Sequence, residues 1–246
     1  MSDDPLLREL ETFAETTNAA VSTLAGPGNH VTVRKAPRSL SLSTPEKGVL
    51  FLAQSRPVMR LSLSFVCRWS ANQKYMAIQR SSIQVLPILP VDVTETDADY
   101  LPSSNEPLVR FDYDRGSNSV PASHINVHSH HPELGWIMGR GHPKSRSVRK
   151  APRTEALHFP TGGHRFRPSL EDILEALVVD FGLDVAAQGK ELLRRQRIKF
   201  RKRQLAAAIG DEVETAAEAL RELGYTVTLK PGRVAPSPRQ DRLEAL

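Results

Sequence analysis

PVMRLSLSFVCRW, residues 57–69, alternates without a break. Met59, Leu61, Leu63, Phe65, Cys67 and Trp69 fall on one side of an extended chain; Val58, Arg60, Ser62, Ser64, Val66 and Arg68 fall on the other. Successive strand side chains point to opposite faces, so six apolar positions in strict period two specify a strand with one buried face. The next run, KYMAIQRSSIQVLP (74–87), alternates imperfectly, as a strand with a bulge near Ser81 and Ser82 would. Upstream, HVTVR (30–34) and GVLFLAQ (48–54) are short extended runs split by a polar turn.

Downstream, VRFDYDR and HINVHSHH frame the turn GSNSVPAS within residues 109–131. Val109, Phe111 and Tyr113 share one face of the first run, and Arg110, Asp112 and Asp114 the other. In the second run Ile125 and Val127 oppose His124, Asn126, His128 and His130. Gly116, Ser117, Asn118 and Pro121 supply turn chemistry, so the two runs read as paired strands with one titratable face. An antiparallel meander of about four to six strands follows.

Helical spacing flanks the strands. Leu6, Leu10, Phe13, Val21 and Leu24 form a stripe over residues 5–24 that stops at Gly26-Pro27-Gly28. Ser169 with Asp172 is a short capping box for a helix striped by Leu170, Ile173, Leu174, Leu177, Val178 and Phe181, closed by Gly182. A basic helix spans 187–209, Asp211 caps another, and YTVTL (225–229) reads as a strand before a proline-rich tail. The expectation is an α+β protein: residues 1–182 carry the meander and its helices, and 183–246 form a basic helical lobe with a loose tail.

Charge distribution points to a partner. The chain carries 33 Lys and Arg against 28 Asp and Glu over 246 residues, a formal charge of +5 and a pI near 9.5. From Arg140 to Arg167 eight basic residues meet one acid, Glu155, and from Lys190 to Arg203 eight more meet Glu191 alone. Acids gather instead at 3–15, 92–106 and 171–184. Such segregation suits a polyanion, RNA before DNA, or else solvated basic faces. VRKAPR occurs twice, at 33–38 and 148–153, and suggests matching phosphate-gripping loops. Candidate nucleic-acid contacts are Arg34, Lys35, Arg149, Lys150, Arg153, Arg165, Arg167, Arg194 and Arg195. The single cysteine, Cys67, excludes an internal disulfide and should be an inert core thiol. With no basic, apolar leader and no apolar run near 20 residues, the expected compartment is the cytoplasm, without membrane contact.

The hairpin face carries the chemistry. Imidazole, with an unperturbed pKa of about 6.5, suits proton transfer at neutral pH. His124 and His128 are the acid and base candidates, Asp112 the orienting or basic carboxylate, and Arg110 the charge stabiliser. RNA supplies its own 2′-hydroxyl nucleophile, so that reaction needs no cofactor. Two other readings stand beside it. His128, His130 and Asp112 could chelate a metal in a metal-dependent hydrolase, or the histidine row could be the polar face of a non-catalytic nucleic-acid- or protein-binding module. His142, His158 and His164 are secondary candidates, and Thr161-Gly162-Gly163 could present backbone N–H groups to a phosphate.

Over residues 57–131, on Asp112, Tyr113, His124 and His128, the chain resembles a group of uncharacterised actinobacterial proteins and, more distantly, is similar to the TumE-type toxins. That resemblance implies a short antiparallel sheet and a ribonuclease in a toxin–antitoxin or defence setting, with an antitoxin as protein partner.

Overall fold

In the computed structural model the described residues are 5–36, 39–70, 75–88, 106–117, 119–128 and 159–244. Among them the elements run α1 (Pro5–Ala25), β1 (Thr32–Ala36), β2 (Ser39–Ser43), β3 (Val49–Ala53), β4 (Arg56–Trp69), β5 (Met76–Pro87), β6 (Val109–Asp114), β7 (Ser123–Val127), β8 (Phe159–Pro160), α2 (Leu170–Phe181), α3 (Gly189–Asp211), α4 (Val213–Glu222) and α5 (Gln240–Leu243). The alternating run is β4, the 14-residue spine of an eight-stranded antiparallel sheet. Its first half pairs with β3 and its second with β2, while β5 follows it along the other edge. Order across the sheet is β1-β2-β4-β5-β6-β7-β8.

Among the described residues the helices pack on one side of the sheet. Leu61, Leu63, Phe65 and Cys67 of β4, with Leu42, Phe51, Ile83 and Val85, meet Leu10, Val21 and Leu24 of α1 and Ile173, Leu174 and Leu177 of α2. Each such side chain contributes roughly 1.5–3 kcal/mol by leaving water. Phe13 packs edge-on against Phe65, centroids 5.1 Å apart. Burial pushes the Cys67 thiol up to about 12, so it stays protonated and unreactive. Leu183 and Leu193, beyond residue 182, are buried in the same cluster, and Val185 packs against it. The first turn of α3 lies so close to α1 that a Cβ on Gly189 would sit 3.0 Å from Thr23 Cβ.

Several local expectations change. SLSLS forms β2, a strand hidden in what reads as a polar turn. The β5 bulge falls at Gln79, where Val66 pairs Arg80 and Cys67 pairs Ile78; its carbonyl accepts from Arg115 N–H. Residues 225–229 form no strand because no described segment offers them a ladder, and Tyr225 is exposed. Glu212, not Asp211, caps α4, with its carboxylate accepting from Glu214 and Thr215 N–H groups. Ser169 and Gly182 do cap α2, through a reciprocal capping box and a left-handed C-cap.

The β3–β4 hairpin turns on Gln54 and Ser55, at φ +50° and +62°. Two consecutive left-handed residues define a type I′ turn, which favours Asn-Gly because side chains cost about 1–2 kcal/mol there. Asp184 offsets this cost: its carboxylate accepts the Gln54 and Ser55 N–H groups at 3.0 and 2.7 Å, and its own N–H donates to Leu52. Asp184→Ala is therefore expected to destabilise the protein by about 1–3 kcal/mol, and Ser55→Gly to stabilise it by about 1 kcal/mol. Urea denaturation of both variants checks the opposite signs.

Candidate functional site

β6 is held on both edges, by β5 and β7, and the register sorts its side chains. Asp112 lies opposite His124 and Arg110 opposite Asn126; on the other edge Ser82 faces Asp112 and Gln84 faces Arg110. Phe111 and Tyr113 alternate with these and turn to the helices, so Arg110, Asp112, His124 and Asn126 share the sheet face away from them. His124 is buried, with 6% exposure, and its Nδ1 is 2.7 Å from the Pro121 carbonyl. A carbonyl only accepts, so Nδ1 carries a proton. Nε2 then faces Asp112 Oδ2 at 3.7 Å. Arg110 Nε donates to the same carboxylate oxygen at 2.5 Å, and its side chain is 35% exposed. Guanidinium, carboxylate and imidazole thus stand in line from solvent inward.

His128 does not join them. Its N–H donates to Leu108 O at 2.9 Å, which continues the ladder past β7. Four residues of strand separate it from His124, roughly 13 Å, too far for both rings to flank one phosphorus. His130 lies outside the described residues, as do His142, His158 and the acidic segment up to residue 105. Among the described residues no group of three or more His, Cys, Asp or Glu side chains could hold a metal ion.

The basic candidates occupy separate places. Arg34 and Lys35 are exposed on β1, at one edge of the sheet, while Arg165 and Arg167 follow β8 at the opposite edge. The first VRKAPR copy is therefore an edge strand up to Ala36, not a loop; Arg149, Lys150 and Arg153 of the second lie outside the described residues. Arg165 is committed to Asp211 through bonds of 2.5 and 2.9 Å, which is why Asp211 is unavailable as a helix cap. Arg194 clamps Glu191 at 2.8 Å through two bonds, with Arg195 3.8 Å away. Further along α3, Arg197 pairs with Glu175 and Arg201 with Asp172 at 2.9 Å, so the acids of α2 neutralise part of the basic helix.

A second cluster forms on the helix side of β6. The Tyr113 hydroxyl is 3.3 Å from His164 Nδ1, their rings lie edge to face at 5.9 Å, and the Arg167 guanidinium stacks 3.8 Å above the Tyr113 ring. Arg242 of α5 brings Nη1 to 2.8 and 2.9 Å from the two His164 ring nitrogens. Ser123 and Thr161 hydroxyls bond at 2.6 Å beside it. Next to Tyr113 and Arg167, a cavity of about 330 Å³ reaches Phe13, Phe65, Phe111 and Glu171, whose carboxyl is raised by burial. In the sequence His164 is a secondary candidate, Arg167 a nucleic-acid contact alongside Arg165, Tyr113 an apolar strand position that also carries the family resemblance, and Arg242 part of the tail; nothing in their spacing signals that they meet.

No protein-family model matches the chain, and comparison with curated proteins and with solved structures gives no match. Among the described residues no helix is long and apolar enough to cross a membrane.

His164 gives the fold a pH dependence. Burial, then Arg242, Arg115 and Arg165, push it down to about 4, against a smaller opposing pull from Asp241, while the Tyr113 hydroxyl faces its Nδ1. The unfolded chain keeps a histidine near 6.5 and so binds more protons between those values; stability must fall as pH drops from about 6.5 to about 4. Urea denaturation at pH 7 and pH 5 is expected to show a larger loss for the wild type than for His164→Gln. Equal losses would contradict this assignment.

Proposed function

We propose that the protein processes nucleic acid, as a metal-independent ribonuclease whose reacting groups are Arg110, Asp112 and His124. The observation that carries the reading is the in-register Asp112–His124 pair, with Nδ1 anchored on a main-chain carbonyl and Nε2 turned to the carboxylate. Fixing one ring nitrogen orients the other, as acid–base catalysis requires. In the reaction the RNA 2′-hydroxyl attacks the adjacent phosphorus, giving up its proton to the Asp112–His124 pair. The 5′-oxygen leaves and takes a proton from the same pair, which produces a 2′,3′-cyclic phosphate. Arg110 stabilises the charge on the phosphorane. Resemblance to the TumE-type toxins over the same strands supports a toxin or defence setting in the cytoplasm, with an antitoxin partner.

The burial of His124 favours a second reading: a non-catalytic nucleic-acid-binding module in which the pair is structural. The two separate in one assay. Wild-type protein is expected to cleave labelled RNA in EDTA, and His124→Ala and Asp112→Asn each to lower the rate about 10²–10⁴-fold while RNA binding persists. Binding without cleavage would establish the second reading. Cleavage unchanged in both variants would remove the pair from the chemistry.

A further inference from the structure

We propose that Tyr113, His164, Arg167 and Arg242 surround a binding site for a phosphoryl oxyanion, with Arg115 at its rim. The site lies across the sheet from Asp112 and His124 and does not rest on the ribonuclease reading.

Four guanidinium groups gather around one imidazole and one phenol: Arg115, Arg165, Arg167 and Arg242. Asp211 neutralises Arg165. Asp241 lies 3.2 Å from Arg242 Nε, but both its oxygens are already gripped at 2.8 Å by the Arg239 fork. Arg242 Nε is buried and makes no hydrogen bond among the described residues. Neither Arg115 nor Arg167 has a carboxylate within ion-pair distance among those residues. Their neighbours add only donors or near-neutral groups: the His164 ring, the Tyr113 hydroxyl, and the Ser123 and Thr161 hydroxyls.

Gathered like charges away from water are costly unless an anion joins them. Desolvation first, and then repulsion from neighbouring guanidiniums, lowers the proton affinities of Arg167 and Arg242. A carboxylate needs one planar fork; three guanidiniums carried by separate segments, the turn after β6, the β8–α2 loop and α5, match a tetrahedral, doubly charged group better. Arg167, stacked flat on Tyr113, holds its fork in one plane. Tyr113 and His164 are 5% and 6% exposed, so a long nucleic-acid backbone cannot lie along them and only a small headgroup suits the cluster. The ligand is therefore a terminal or free phosphate, carried either by inorganic phosphate and nucleoside monophosphates or by the 5′ end of an RNA.

Thermal denaturation and isothermal titration with inorganic phosphate, at constant ionic strength, test the site. The expected result is a higher Tm and saturable binding for the wild type, as for any ligand selective for the native state. Binding should weaken at least about tenfold in Arg167→Gln and Arg242→Gln but not in Lys47→Ala, an exposed residue before β3. Should Arg167→Gln fail to fold, Arg242→Gln on the terminal helix carries the test. Tighter binding of a 5′-phosphorylated RNA than of its 5′-hydroxyl twin would assign the RNA end as the source. Phosphate binding without that preference would assign the free ion or nucleotide. Absence of phosphate binding to the wild type, or undiminished binding to Arg242→Gln, would overturn the proposal.

Discussion

The register of β6 between β5 and β7 is the constraint from which both clusters follow. A one-residue slip would exchange every side chain between the faces of the strand. It would put Asp112 among the helices and Tyr113 on the far face. The apolar half of the pattern forbids this: Val109 and Phe111 pack against the core formed by Ile83, Val85 and the helices. Hydrophobic burial on one side of the sheet thus fixes which polar groups meet on the other. Asp112 faces His124 because Phe111 and Tyr113 must face inward.

The helical layer is tied to the sheet by a few directed polar contacts as well as by packing. Asp184 holds the β3–β4 turn, and Arg165 joins the β8–α2 loop to the end of α3 through Asp211. These contacts explain why the basic helix is not a free cationic arm. Its inner positions are occupied by acids of α2, and Leu193 anchors its first turns in the core. Among the described residues the positive charge of the chain is therefore divided among separated groups, one of them the set of Arg115, Arg167 and Arg242 around His164.

Much of this was legible in the residue pattern. Strict alternation gave β4, the titratable hairpin gave β6 and β7, and Ser169 and Gly182 marked both ends of α2, because each signal is local. What stayed hidden depends on distant partners. Serine rungs disguised β2, since SLSLS becomes a strand only beside β4. The Gln54-Ser55 turn lacks the usual Asn-Gly because Asp184, 129 residues along from Ser55, supplies the compensation. Asp211 has the position of a cap, but Arg165 claims both oxygens of its carboxylate. In the hairpin, spacing alone put His124 and His128 on one face but could not show that the strand holds them apart.

The Asp112–His124 pair is tested most directly by long-range ¹⁵N–¹H correlation spectra of the histidine rings. A proton on His124 Nδ1, held by the Pro121 carbonyl, is the expected result, together with a larger move of the Nε2 resonance than of Nδ1 in Asp112→Asn. A ring protonated on Nε2 alone, or one indifferent to Asp112→Asn, would contradict the geometry on which the candidate site is built.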